Sequence, residues 1–302
     1  MPKIIDSHCH FLPDSIAKHT SFFKNGWSDI GQLNLSRDNN EIANSLLVYP
    51  TSDAHLQMGG WQNVCDIYNE EIASFAKSSG GKFIGAGILP MDTPENFTKE
   101  LLRIKKLGLK VLSLASSYNG IYLSDKIFDP IFKFSEENNI PIFVHSQIIN
   151  PIGEERVRDP LLSPVLEYVF DVSMCVGKLI MEGTLLKYKG LKIIFAHYGG
   201  VIPFVKERFD STYLMLRKRD FVKDLGILPS EYFKKLFFDT SGSRSIASLL
   251  CMLEAVDSSH ILFGSDFPAN QDISSSIKSI QRSSLSEKDK ENILDNSLFK
   301  SL

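Results

Sequence analysis

Two histidines stand one residue apart in Asp6-Ser7-His8-Cys9-His10, directly after a short apolar run. In an extended strand the side chains at i and i+2 lie on one side, so His8 and His10 would converge on one point. Converging imidazoles suit a metal ion, although two exposed histidines at a strand end would read the same way. Further along, His145 closes "PIFVH", His197 closes "IIFAH" and Asp266 closes "ILFGSD". Three imidazoles and one carboxylate are a donor set for Zn2+ that leaves one position for water. His8, His10, His145 and Asp266 are therefore assigned to one divalent ion. His197, left over, is the expected acid/base, so that His197 and Asp266 carry the chemistry. Zinc can bring the pKa of its water to about 7. Harder oxygen ligands would favour manganese, whereas three imidazoles lean towards zinc. Asp6, with the parity of His8 and His10 but one step deeper, is expected to orient a ligand.

These residues can meet only if the strands that carry them end at one place. Eight short apolar runs, each followed by a turn signal, read as buried parallel strands: 3–6, 45–51, 82–90, 109–115, 141–146, 191–197, 235–241 and 260–266. Amphipathic segments of helical length begin at Asn63, Pro94, Asp129 and Ser245 between them. Strand and helix alternating over 302 residues predict an α/β fold, a (β/α)8 TIM barrel of the metal-dependent hydrolase type. A doubly wound open sheet is the alternative and needs fewer strands. In a barrel every strand's C-terminal end faces one mouth, which gathers the five residues. His260 begins its strand, and His19 and His55 lie in loops, so these three are read as structural or surface histidines.

The expected organisation is one barrel domain over 1–302, with a small lid insertion around 11–44. Longer connections at 11–44, 52–62 and 147–165 would build the pocket. Lys110 sits near the beginning of the fourth strand and no lysine follows that strand's mouth end. A carbamylated-lysine bridge between two metals is thus not expected, and one ion is.

A net charge of −3 with no Lys/Arg block leaves no footprint for nucleic acid or an anionic membrane. No apolar run approaches bilayer length, and the N-terminus lacks a signal-peptide pattern. Cys9, Cys65, Cys175 and Cys251 form no C-x-x-C pair, which points to a reduced, cytoplasmic setting. Arg37, Arg156, Arg158, Arg208 and Arg244 are the arginines considered for gripping a carboxylate. Trp61, Phe11, Tyr118 and Phe267 border strand ends and could stack on a planar substrate, or simply pack.

The chain resembles the amidohydrolase superfamily, in the branch that includes aminocarboxymuconate semialdehyde decarboxylase and resorcylate-type decarboxylases. The resemblance rests on "IIDSHCHFLP", "NEEIASFAKSSGGKFIGAGILP", "FDPIFKFSEENNIPIFVHS", "MEGTLLKYKGLKIIFAHYGGVIPFVKERFD", "ILFGSDFP" and "ENILDNSLFKSL", which span the chain. It implies the ligands His8, His10, His145 and Asp266 and the catalytic His197. It also implies that Arg208 reaches the substrate of a neighbouring subunit, hence a homodimer. Tyr198 stands where the family usually has glycine, and residues 11–62 match poorly, so the pocket carries over least. The expected function is metal-dependent decarboxylation of a small carboxylic acid, a carbon–carbon lyase using metal-bound water and a histidine. The alternative is metal-dependent hydrolysis of a lactone, amide or ester. A barrel that binds metal without turnover would leave His197 with no role.

Overall fold

A computed structural model describes residues 3–23, 26–152 and 161–300. Eight parallel strands form the centre: β1 (Ile4–His10), β2 (Ile42–Val48), β3 (Phe83–Gly87), β4 (Val111–Ala115), β5 (Ile142–His145), β6 (Ile193–Phe195), β7 (Phe237–Asp239) and β8 (Ile261–Leu262). They are hydrogen-bonded in chain order. The ring closes where β1 meets the stretch after β8. There Ser7 N–H donates to the Phe263 carbonyl at 2.8 Å, His10 N–H to the Phe267 carbonyl at 2.7 Å and Asp266 N–H to the His8 carbonyl at 2.8 Å.

Each strand is followed by a helix: α1 (Ile30–Asn39), α2 (Trp61–Ser78), α3 (Phe97–Leu107), α4 (Asp129–Asn138), α5 (Tyr168–Met181), α6 (Lys206–Arg217), α7 (Ile246–Leu253) and α8 (Ile273–Gln281). Local chemistry sets several starts. The carboxylate of Asp29 accepts from Gln32 N at the head of α1, Ser245 accepts from Ala247 N at α7, and Asp272 from Ser275 N at α8. The (β/α)8 barrel expected from the alternation is what the chain forms.

Two apolar clusters divide the interior. One fills the ring, with Ile5, Leu46, Val48, Ala86, Phe143 and Ile194 from successive strands, and Leu298 and Phe299 added by the C-terminal turn. The larger one lies between strands and helices and contains Ile4 and Cys9. Ile5 therefore faces the ring and Ile4 faces out. Pairing of β1 with β2 shifts register between Asp6 and Cys9, where three residues of β1 advance against two of β2. That bulge inserts one residue. It takes Asp6 out of the alternation that joins His8 to His10, so the parity assigned to Asp6 from sequence does not hold.

The insertion between β1 and β2 holds the short helix Asp14–Ala17 and then α1. Asp53, from the loop after β2, accepts the backbone N–H of Ser21 at 3.0 Å and anchors this insertion over the mouth.

Candidate metal centre and active site

His8 and His10, both buried on β1, meet His145 from the end of β5 and Asp266 from the turn after β8. One donor atom from each of the four lies within 4.8 Å of the others. His8 Nε2 is 3.0 Å from His10 Nε2, and Asp266 Oδ1 is 3.2 Å from the second and 3.4 Å from the first.

The opposite ring nitrogens decide what those Nε2 atoms can do. His8 Nδ1 donates to Asp239 Oδ2 at 2.8 Å, His10 Nδ1 to the Val48 carbonyl at 3.1 Å, and His145 Nδ1 to the Ser146 carbonyl at 2.9 Å. Carboxylates and carbonyls only accept, so each Nδ1 carries a proton, and a ring that is neutral presents Nε2 as a lone pair. Two ring nitrogens facing each other at 3.0 Å are stable with a metal ion or a proton between them. The donor set fits a divalent ion, with each imidazole oriented by an acceptor behind it.

The electrostatics agree. Burial disfavours charge on His8, but Asp239 and Asp266 overcome this and hold its pKa above the ordinary imidazole value. Burial pushes His10 below that value and, with the neighbouring imidazoles, pushes His145 well below it. Burial would raise Asp266, yet His8, His10 and His197 hold it well below the carboxylate range. The site thus keeps two neutral imidazoles and an ionised carboxylate while drawing positive charge towards His8.

His197 follows β6, and its ring centroid lies 5.4 Å from His8 and 5.5 Å from His145. Burial lowers its pKa. Its Nδ1 is 2.8 Å from Ser241 Oγ. His197 and Asp266 both have left-handed backbones, with φ of 56° and 59°, a costly conformation for residues other than glycine.

Gly264 has a packing reason: a Cβ there would sit 2.9 Å from that of His8 and 3.0 Å from that of Asp239. Asp6 orients the neighbouring turn and no imidazole. Its carboxylate accepts the backbone N–H of His8 at 3.1 Å, the N–H of Ser265 at 2.9 Å and the Ser265 hydroxyl at 2.6 Å. Burial raises its pKa to about 6.

The centre opens into a cavity of about 2270 Å³ at the C-terminal mouth, with His10, His145, His197 and Asp266 in its floor. Its walls are largely apolar, including Phe22, Phe23, Trp27, Ile148 and Phe204, with Tyr122 and Asp171 on one side. Among the described lining residues there is no lysine or arginine.

Several residues singled out from sequence lie elsewhere. Trp61 is buried at the head of α2 and stacks on His55, with centroids 4.5 Å apart and 16° between planes. Phe267 is buried, and its backbone seals β1 to the end of the ring. Neither lines the cavity, because each is taken up by packing. Phe11 stacks on Phe75. Arg37 donates to the Ile42 carbonyl at 3.0 Å, and Arg244 pairs with Asp272 at 2.5 Å. Arg208 is exposed on α6, away from this chain's own cavity, and has no ion pair among the described residues. Arg156 and Arg158 lie outside the described residues.

Three residues in contact with the site's histidines escape sequence reasoning. Trp27, whose ring lies 5.4 Å from His10, sits in the insertion, where no periodicity marks it. Asp239 and Ser241 follow "LFF" at the end of a strand, and that position was the available signal.

A family model described as amidohydrolase matches residues 5–296. A 2-amino-3-carboxymuconate-6-semialdehyde decarboxylase of Dictyostelium discoideum is 27% identical over 276 residues, covering 87% of this chain and 74% of that protein. A 5-carboxyvanillate decarboxylase structure from Sphingomonas paucimobilis superimposes with a TM-score of 0.87 at 21% identity, covering 97% of each chain. A dihydroxybenzoic acid decarboxylase of Polaromonas sp., solved with manganese and 2-nitroresorcinol, gives 0.84 at 21% identity, covering 99% of this chain and 97% of that one.

Proposed function

The chain belongs to the amidohydrolase family, and from that premise we propose that it is a metal-dependent decarboxylase of a small, planar carboxylic acid. The observation that carries this reading is the set of three imidazoles, each with Nδ1 committed to an acceptor and Nε2 turned on Asp266 at the cavity floor. His8, His10, His145 and Asp266 would hold one divalent ion. Bound there, it would supply Lewis acidity and positive charge for the substrate's carboxylate. We assign zinc from the donor set, and the neighbour of the same fold that carries manganese makes metal exchange a necessary control.

The chain's own residues do the rest. Phe22, Phe23 and Trp27, from an insertion around 11–44 that we read as a lid on a single barrel domain, close an apolar wall over the planar body of the substrate. That wall keeps water from the reacting carbon. His197, at the floor, first takes a proton at Nε2 from the acid group of the entering substrate and then returns it to the carbon that bears the carboxylate. The carbon–carbon bond then breaks, its electron pair restores the substrate's unsaturation, and CO2 leaves. An apolar wall favours this over hydrolysis, which needs water at an acyl carbon.

We further propose a homodimer in which Arg208 of the partner subunit supplies the guanidinium that the described cavity wall lacks. Its exposure on α6 and its motif position support this. The described cysteines are free, and no described helix is long and apolar enough to cross a membrane, which supports a cytoplasmic setting.

The test is a panel of hydroxybenzoates, unsaturated dicarboxylates, lactones and amides, with CO2 and ring-opened products both assayed on zinc- and manganese-loaded protein. CO2 release that is lost in His197→Asn, with metal retained, is expected. Ring opening without CO2 would replace this reading with hydrolysis.

A further inference from the structure

One hydroxyl behind the converging donors touches three of the site's ionisable groups. Ser241 Oγ lies 2.8 Å from His197 Nδ1 and 3.0 Å from His8 Nδ1, and it hydrogen-bonds Asp239 Oδ1. An ionised carboxylate can only accept, so the Ser241 O–H points at Asp239. The oxygen's lone pairs are thereby turned on His197, whose Nδ1 must carry the proton.

Asp239 is itself locked. Its Oδ1 also accepts the backbone N–H of His197 and of Ser241, each at 2.9 Å, while Oδ2 takes His8 Nδ1–H at 2.8 Å. His8, His197 and Asp239 have donor atoms within 4.8 Å of one another, and the Ser241 oxygen lies among them. Gly242 makes room for the arrangement: a Cβ there would come 3.1 Å from His197 Nδ1, and φ is +77°.

We propose that Ser241 is a positioning residue that links Asp239 to His197 through a single hydroxyl and holds the imidazole in its Nδ1–H tautomer, so that Nε2 is the atom that exchanges a proton with substrate. Asp239 then serves two rings, His8 directly and His197 through the serine. The proposal rests on the reading of His197 as the acid/base group, and its test does not depend on turnover.

The experiment is long-range 15N–1H correlation NMR on zinc-loaded protein labelled with 15N-histidine. The His197 signals are identified by their loss in His197→Asn. Wild type should show a protonated Nδ1 and an unprotonated Nε2 on His197. Ser241→Ala should lose that preference while keeping its zinc, and Ser241→Thr, which retains a hydroxyl, should restore it. A wild-type His197 protonated at Nε2, or an alanine variant with the Nδ1–H signal unchanged, overturns the proposal. Should the alanine variant not fold, wild type and Ser241→Thr decide: Nδ1–H in both supports the proposal, and Nε2–H in either overturns it. If the tautomer behaves as stated while His197→Asn keeps full activity, the acid/base reading fails and the Ser241 assignment stands.

Discussion

His8 and His10 face each other Nε2 to Nε2 at 3.0 Å, with the proton of each ring drawn to the far side by Asp239 and by the Val48 carbonyl. Such a pair is stable when a positive charge lies between the rings. The protein as purified should carry one equivalent of divalent metal, and His8→Ala should carry none, read by elemental analysis. At a free metal concentration a hundredfold above Kd the bound ion stabilises the fold by about 2.7 kcal/mol, so chelation should lower the thermal midpoint by roughly 4 °C. A full metal load in His8→Ala would contradict the ligand assignment.

Asp239 holds the Nδ1 proton of His8 from a fully buried position. Asp239→Asn keeps the shape and removes the charge, so metal affinity should fall roughly ten- to a hundredfold, as when the acceptor behind a metal-binding histidine is altered. Competition with a chromophoric chelator measures this. An unchanged Kd would mean that Asp239 has no part in the centre.

Asp6 offers a pH dependence of known sign. Its carboxyl keeps a proton up to about 6 in the folded protein, against 3.8 for an ordinary aspartate. Between those values the folded state binds more protons than the unfolded one, so stability falls as pH rises. Relative to Asp6→Asn, which does not titrate, wild type should lose about 3 kcal/mol between roughly pH 4 and pH 6. Urea midpoints at matched pH values report the difference, and a flat difference would show that burial does not hold the proton.

Trp27 and Trp61 are the two tryptophans of the chain, and only Trp27 lines the cavity. In a Trp61→Phe background, the emission of Trp27 should therefore respond to a bound hydroxybenzoate. Trp27→Ala should weaken that ligand roughly fivefold, the worth of about 1 kcal/mol of aromatic contact. Emission that ignores every planar acid would remove Trp27 from the substrate wall.

What the sequence made legible follows one physical rule. His145, His197 and Asp266 each close an apolar run, and parallel strands in a ring must deliver such ends to one mouth. Asp239 obeys the same rule but was passed over, because a lone aspartate in "FFDTS" has no histidine spelling to draw attention. Asp6 was misplaced because strict alternation cannot foresee a bulge, which is set by pairing with β2. Trp61 borders a strand end and so reads as a stacking residue, yet His55 and the helix it starts hold it in packing. Trp27 belongs to a segment with no period to read, and only tertiary contact brings it to His10.

The ring closes by pairing its first strand with the stretch after its last, through Ser7, His10 and Asp266. His10 and Asp266, 256 residues apart, therefore come within 3.2 Å only when both ends of the barrel have found each other. A chain still emerging from the ribosome cannot assemble the cage until Asp266 has been made. Metal capture is thus deferred until that seam has formed, when an ion would fasten contacts between residues 256 positions apart and oppose the large loop entropy of opening it.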